Sequence, residues 1–118
     1  MRIEIPFKTP SVNHLYFTFR NLKILTKEAR ELKKQILEIV EEKPELFEKK
    51  LKVIVEIYEN WYYKNGAVKR ADVSNREKFL IDAVFDGLGI DDRYIFEQIL
   101  IKKQSEKEFA VIEIIVLP

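Results

Sequence analysis

The segment from Glu108 to Leu117 places the tightest limit on the fold of this chain. From Ala110 to Val116 one of its two alternating faces is entirely apolar, and only Glu113 interrupts the apolar series on the other face. A strand with two apolar faces needs cover on both of them, and such strands are typical of the middle of a sheet. We therefore predict that this segment is a central strand.

Three further segments are predicted to be strands: Arg2–Phe7, Leu51–Glu59 and Tyr94–Lys103. The first two alternate apolar and polar side chains, as half-buried strands do. A turn at residues 104–107 connects the third to the central strand. Between the first strand and the first helix, Lys8–Leu25 contains many turn-forming residues, and we predict an irregular segment there.

Two helices are predicted between these strands. Thr26 is placed to cap the first helix, whose apolar residues recur at helical spacing until Lys43-Pro44 ends it. The second helix, Ser74–Leu88, opens with a capping-box pattern, and Gly87 and Gly89 are expected to stop it. The order β-α-β-α-β-β predicts one α+β domain over residues 1–118, with helices packed on a mixed sheet.

Composition excludes several classes of protein. The chain has no cysteine and a single histidine, so disulfides, thiolate chemistry and a multi-histidine zinc site within one chain are excluded. The histidine, His14, is expected to be an ordinary loop residue. No apolar run approaches the roughly 20 residues that cross a bilayer, and the first residues do not resemble a signal or transit peptide. We expect a cytoplasmic protein that does not engage membranes.

All the aspartates lie between Lys69 and Asp92, whereas the other fifteen acidic residues are glutamates. Aspartate is a poorer helix former than glutamate and a short, stiff ligand for hard cations. Its confinement to one quarter of the chain, beside basic residues, is typical of a metal-dependent phosphodiesterase. The five are Asp72, Asp82, Asp86, Asp91 and Asp92.

A local excess of positive charge adjoins these aspartates, although the net charge of the whole chain is only +1. Residues 64–78 carry five basic and two acidic side chains, and such a strip can bind a phosphate backbone. Trp61 and Tyr63 precede an Asn65-Gly66 loop signal. Either they stack on bases or they pack on the sheet edge. The predicted phosphate contacts are Lys64, Lys69, Arg70 and Arg76.

The acidic stretch also carries a specific resemblance. The pattern D-x-[D/S]-N-x-x-K-x-x-x-D-A, followed by G-x-x-x-D-D, resembles the RusA family of Holliday-junction resolvases, as does S-V-N-H-L-Y at residues 11–16. Strand and helix order agree, so the resemblance covers nearly the whole chain. The matching residues are Asp72, Ser74, Asn75, Lys78, Asp82-Ala83, Gly87 and Asp91-Asp92.

The resemblance implies homodimeric endonucleases, dependent on Mg²⁺ or Mn²⁺, that make paired symmetric nicks in four-way DNA junctions. By position, the catalytic residues would be Asp72, Lys78 and Asp92. Metal would be bound by Asp72, Asp91 and Asp92, with support from Ser74, Asn75 and Asp82. Asn13 and Tyr16 would join the basic strip in binding branched DNA.

Three points stay open at the level of sequence. Ser74 stands where the family often has a second aspartate, so it either caps the helix or contacts metal through water. Asp82 follows Lys78 at the spacing of a helical ion pair, which competes with a catalytic role. A straight second helix would separate Asp72 from Asp92 by roughly 20 Å, unless they meet across a dimer axis, the loops fold back or the helix is shorter.

We therefore predict a divalent-metal-dependent, structure-specific endodeoxyribonuclease that acts as a homodimer on branched DNA. One alternative is a non-catalytic junction binder on the same fold. Another is a metal-dependent phosphodiesterase that acts on a different nucleic acid, including RNA. A third is an oligomeric structural module whose acidic residues only face solvent.

Overall fold

The computed structural model describes residues 1–11, 16–70 and 73–118, without the side chains of Tyr16 and Asn75. None of the described helices is long and apolar enough to cross a membrane. Short 3-10 turns lie at Pro44–Leu46 and Asp92–Tyr94. The main elements are β1 (Arg2–Ile5), β2 (Tyr16–Phe19), β3 (Leu22–Leu25), α1 (Lys27–Ile39), β4 (Leu51–Glu59), α2 (Ser74–Leu88), β5 (Ile95–Gln104) and β6 (Phe109–Val116).

Four strands form one mixed sheet in the order β1-β6-β4-β5. β6 runs antiparallel to both β1 and β4, whereas β4 and β5 are parallel and are connected through α2. The prediction that the last strand lies inside the sheet is confirmed, because β6 has a neighbour on each side. The predicted α+β class with helices and a mixed sheet is confirmed as well.

One face of the sheet forms the core with the two helices. Alternate residues of β4 are buried from Leu51 to Glu59, and the register places Val55 opposite Ile112 of β6 on this face. Ile36 of α1 and Leu80 of α2 belong to the same buried cluster. The face that carries Lys52 and Glu56 is only partly covered, so the helices occupy a single side of the sheet.

A hairpin replaces part of the segment that we expected to be irregular. β2 and β3 pair antiparallel, with Phe17 opposite Ile24, across a two-residue turn. Arg20 and Asn21 occupy this turn with φ values of 50° and 63°, the left-handed conformation that tight hairpins require. The prediction of irregular structure is therefore wrong for residues 16–25.

The ends of the helices agree with the sequence only in part. Thr26 caps α1 as predicted, because its hydroxyl accepts a hydrogen bond from the amide of Ala29 at 3.2 Å. The predicted capping box at the start of α2 is wrong. The N-cap residue is Val73, which has helical conformation, and Ser74 is the first residue of the helix. Glu77 accepts a hydrogen bond from Gln98 of β5 instead of reaching back to the cap.

The two glycines of α2 have different roles. Gly89 ends the helix as predicted, in left-handed conformation with φ 73°. Gly87 lies inside the helix and does not stop it. A Cβ atom at Gly87 would lie 3.0 Å from the Cβ and Cγ1 atoms of Val40, so glycine here allows α1 and α2 to approach closely.

Candidate functional site

The predicted site residues are distributed along α2, whose first turn is attached to the sheet. Arg76 Nη2 lies 3.3 Å from Glu59 Oε1, at the end of β4. One residue later, Glu77 Oε1 accepts a hydrogen bond of 2.9 Å from Gln98 Nε2 of β5. Contacts to two neighbouring strands fix the start of α2 against the sheet, at the last residue of β4 and at the fourth residue of β5.

The ion pair between Arg76 and Glu59 is largely buried. The side chains are 14% and 5% exposed, and among the described residues Glu59 Oε2 and Arg76 Nε have no hydrogen-bond partner. A buried pair with unsatisfied atoms contributes little net stability, but loss of one partner leaves an uncompensated charge. Arg76 thus has a structural contact, and its predicted contact with phosphate stays a prediction.

The loop before α2 folds back on itself at the Asn65-Gly66 signal. Gly66 has φ 87°, the Asn65 side chain accepts a hydrogen bond from the amide of Ala67, and the Lys69 amide bonds the Trp61 carbonyl at 2.7 Å. The predicted loop tip is confirmed. Among the predicted phosphate contacts in this loop, Lys64 and Arg70 are exposed and Lys69 is partly exposed.

The aromatic residues of this loop have different environments. Trp61 is buried, and its ring nitrogen donates to the carbonyls of Ile57 and Lys103. Packing on the sheet edge is therefore the correct interpretation for Trp61. Tyr63 is 51% exposed, so its ring remains accessible for stacking beside Lys64.

Lys78 and Asp82 form the helical ion pair that their spacing predicted. Lys78 Nζ lies 3.5 Å from Asp82 Oδ2, and both side chains are partly exposed. An exposed pair of this kind is worth about 0.3–0.5 kcal/mol. It is weak enough for the lysine to exchange its carboxylate partner for a phosphate oxygen.

The aspartates nearer the end of α2 border one cleft of about 350 Å³ together with Lys33 of α1. Lys33 Nζ binds Asp86 Oδ2 at 2.6 Å, and Asp91 Oδ1 caps the following 3-10 turn by accepting from the amide of Arg93. Together with Asp82, which pairs with Lys78, three carboxylates of the cleft are therefore already engaged. The acidic residues of the cleft are Asp82, Asp86, Asp91 and Asp92.

Arg93, which the sequence analysis did not single out, adds a cation beside these acids. Its guanidinium donates to the Tyr94 hydroxyl at 3.1 Å and lies 5.0 Å from the centre of the Tyr94 ring. This hydrogen bond and the charge of Asp91 raise the pKa of Arg93. The sequence feature that could have identified Arg93 as a site residue is its position directly after Asp91-Asp92.

The described residues of one chain do not complete a metal site. No three acidic or histidine side chains among residues 1–11, 16–70 and 73–118 lie close enough to bind one ion. Asp91 and Asp92 supply carboxylate oxygens, the ligands that Mg²⁺ prefers, and they follow a helix of fifteen residues that is about 22 Å long. They line the same cleft as Asp82, which lies in the middle of that helix. Asp72 and Asn13 lie outside the described residues, as do the side chains of Tyr16 and Asn75.

The geometry defines a small α+β domain with a basic loop at one end of a central helix and exposed carboxylates at the other. A family model described as Endodeoxyribonuclease RusA matches residues 6–116. The chain therefore belongs to the RusA family of endodeoxyribonucleases, which confirms the resemblance, and membership implies endonuclease activity on Holliday junctions. A search of curated proteins found no match.

Proposed function

We propose that the protein is a divalent-metal-dependent endodeoxyribonuclease that resolves four-way DNA junctions by paired symmetric nicks, acting as a homodimer in the cytoplasm. The family match carries this proposal. It extends over residues 6–116 and so includes every residue assigned to the site, from Asn13 to Asp92. We assign residues 1–118 to one endodeoxyribonuclease domain, and the match to residues 6–116 supports this assignment.

Metal binding is assigned to Asp72, Asp91 and Asp92, with Mg²⁺ or Mn²⁺ as the ion. Such an ion supplies an activated water molecule and neutralises charge on the phosphate. Because the described residues of one chain do not gather three ligands, the donor set requires Asp72, a second copy of the chain, or both. Ser74, Asn75 and Asp82 support this set.

Lys78 is assigned to the reacting phosphate. It is half exposed, and within the described part of the chain its ammonium group forms an ion pair only with the exposed carboxylate of Asp82. A cation placed at the developing negative charge stabilises the transition state. Lys64, Lys69 and Arg70 bind the flanking backbone, whereas Arg76 holds the helix that presents Lys78. Asn13 and Tyr16 extend the DNA contact.

A nicking assay on a synthetic four-way junction, with and without Mg²⁺ or Mn²⁺, tests the proposal. We expect Asp72→Asn to abolish nicking and to leave junction binding intact, since removal of a negative charge near phosphates does not weaken DNA contact. Asp86→Asn is the matched control, because Asp86 binds Lys33 and has no assigned role. Full nicking by Asp72→Asn would refute the assignment.

A non-catalytic junction binder is the second candidate, and Ser74 is the observation that favours it. A hydroxyl at the position where the family often has an aspartate weakens metal binding. We expect Ser74→Asp to lower the metal concentration needed for half-maximal nicking, because it adds a carboxylate ligand. If neither the parent nor this variant nicks branched DNA at high Mn²⁺, the binder is the better description. The same assay on RNA junctions tests the remaining alternative.

A further inference from the structure

The β2–β3 hairpin forms a two-stranded sheet of its own, separate from the four-stranded sheet. Its base is held by Leu25, which packs against the hydrophobic core, whereas every residue from 17 to 23 is exposed. Strands of four residues extend about 13 Å. The hairpin therefore presents a free tip, at Arg20-Asn21, that is available for contact with another molecule.

One face of this hairpin is entirely apolar. The register places Phe17 opposite Ile24 and Phe19 opposite Leu22, and these two pairs lie on the same face because strand residues two apart share a side. Phe17, Phe19 and Leu22 are 46%, 54% and 64% exposed. Clustered apolar side chains on an exposed surface mark a contact site.

The charge of the hairpin indicates what kind of molecule covers this face. From residue 5 to residue 27 the sequence has four basic side chains and no acidic one. The guanidinium of Arg20 lies 5.2 Å from the centre of the Phe19 ring, so a cation and an aromatic ring occupy the tip together. Nucleic acid has the complementary features, because it combines flat apolar base faces with negatively charged phosphates.

The side chains of the apolar face favour stacking on bases over reading their edges. A two-stranded ribbon fits the major groove, where polar side chains recognise base edges by hydrogen bonds. Phe17, Phe19 and Leu22 cannot form such bonds, and side chains of this type instead insert between bases or stack on them. Inside a linear duplex the base faces are covered by their neighbours, whereas a branch point interrupts the stack. The apolar face therefore fits a branch point.

We propose that the β2–β3 hairpin stacks its apolar face, with Phe19 at the tip, on the base pairs that border the branch point, and thereby selects branched over linear DNA. This inference rests on the proposed function and extends it to the recognition of the branch. Arg20 and Lys23 neutralise the flanking phosphates. α1 begins two residues after β3, and Lys33 at the acidic cleft follows about 9 Å along it, so one junction can contact both.

The test compares dissociation constants for a four-way junction and for a linear duplex of one arm, measured by fluorescence anisotropy without divalent metal ions. Phe19→Ala should weaken junction binding roughly fivefold or more and leave duplex binding unchanged. Phe19→Trp keeps an aromatic face and should keep the preference for the junction. Phe96→Ala is the matched control, because Phe96 is also exposed and also lies 5.2 Å from a cation, Lys50.

Salt dependence separates the ring from the charges of the hairpin. For Arg20→Gln with Lys23→Gln, the slope of log K against log salt on the junction should fall by about 0.9 for each lost phosphate contact. Phe19→Ala should lower the affinity and leave this slope unchanged, because stacking releases no counterions. A slope that falls with Phe19→Ala would show that the ring only positions Arg20, which would overturn stacking.

A fluorescent base reports the contact directly. The emission of 2-aminopurine depends on its stacking, so a probe beside the branch point should respond when the parent protein or Phe19→Trp binds. At saturating protein, Phe19→Ala should leave that emission at the value of the free junction. A probe in the middle of an arm should not respond to any of them. Equal responses at both positions would refute a contact at the branch point.

The remaining outcomes separate this inference from the proposed activity. If the parent nicks junctions and Phe19→Ala keeps the full preference for them, the hairpin assignment is wrong and the nuclease stands. If the parent binds no DNA, both fail. Binding to phosphatidylglycerol vesicles that is lost in Phe19→Ala would make the hairpin a membrane contact. Circular dichroism checks folding, and Leu22→Ala, on the same face, should reproduce the loss of preference.

Discussion

The two ends of α2 differ in how they are held and in the charge that they carry. At its start, Arg76 lies in a largely buried ion pair with Glu59, and Glu77 is bound to Gln98 of β5. At its end, Gly89 turns the chain into an exposed segment that contains Asp91 and Asp92. One end is fixed to the sheet, and the other presents carboxylates to solvent.

The charges at the end of α2 oppose the helix dipole, whereas those at its start are mixed. A helix start favours anions and a helix end favours cations, each by about 0.3–1 kcal/mol when exposed. Near its start α2 has Arg76 and Lys78 but also Glu77, an acidic residue in the first turn, and it has no basic residue in its last turn, where Asp86 lies. Charges placed against the dipole lower stability, which favours a functional origin for the carboxylates at the end of α2. Four variants test this comparison.

The largest effect is expected from Glu59→Ala. It leaves the guanidinium of Arg76 largely buried without a counter-charge, which costs about 3–5 kcal/mol in the free energy of unfolding. Urea denaturation measures this loss. Lys27→Ala, which removes an exposed pair with Glu31 at 4.0 Å, is the control and should cost about 0.5 kcal/mol or less. A loss for Glu59→Ala as small as the control would show that the start of α2 does not depend on this pair.

Neutralising the loop at the start of α2 should weaken DNA binding. For Lys64→Gln with Arg70→Gln, the slope of log K against log salt should fall by about 0.9 for each lost phosphate contact. Junction binding titrated at several salt concentrations measures the slope. Arg30→Gln with Lys34→Gln removes the same charge from the exposed surface of α1 and should leave the slope unchanged. A loss with both double variants would mean that only net charge matters.

Gly89→Ala should destabilise the exposed end of α2. An alanine forced into the left-handed conformation of Gly89, with φ 73°, costs about 1–2 kcal/mol. Thermal or urea unfolding gives the value. Gly89→Asn should lose less, because asparagine tolerates this conformation. Equal losses for both would indicate a packing effect rather than backbone strain.

The smallest effect on stability is expected from Asp92→Asn. Removal of an anion near the end of a helix should raise the free energy of unfolding by about 0.3 kcal/mol at low salt, with less gain as salt increases. The same change should abolish nicking, since Asp92 is a proposed metal ligand. A clear loss of stability would instead make Asp92 a structural residue.

The sequence predicted the long elements of the fold better than the short ones. β4 and α2 have the predicted boundaries because their periodic patterns extend over nine and fifteen residues. The β2–β3 hairpin was missed because each strand has only four residues and the turn residues Arg20-Asn21 are not the strongest turn signal. A four-residue alternation carries little information, so pairing across the turn decides the structure.

The candidate site was predictable as a set of residues but not as an arrangement. Pattern alone identified the acidic and basic residues, whereas the partner of Arg76 depends on which strand end lies beside α2. The sequence does indicate that Glu59 needs a partner, because Glu59 continues the buried face of β4 that starts at Leu51. A carboxylate on a buried face requires a cation, but sequence does not state which of the neighbouring cations binds it.

The central position of β6 in the sheet has a consequence for the order of folding during synthesis. β6 follows every other strand along the chain, yet it is the neighbour of both β1 and β4. β1 therefore has no partner in the sheet until β6 has been synthesised, and the paired residues Ile3 and Ile112 are then joined across almost the whole chain. Contacts between residues so far apart in the sequence slow folding. In a nascent chain the helices would therefore form before the sheet is complete.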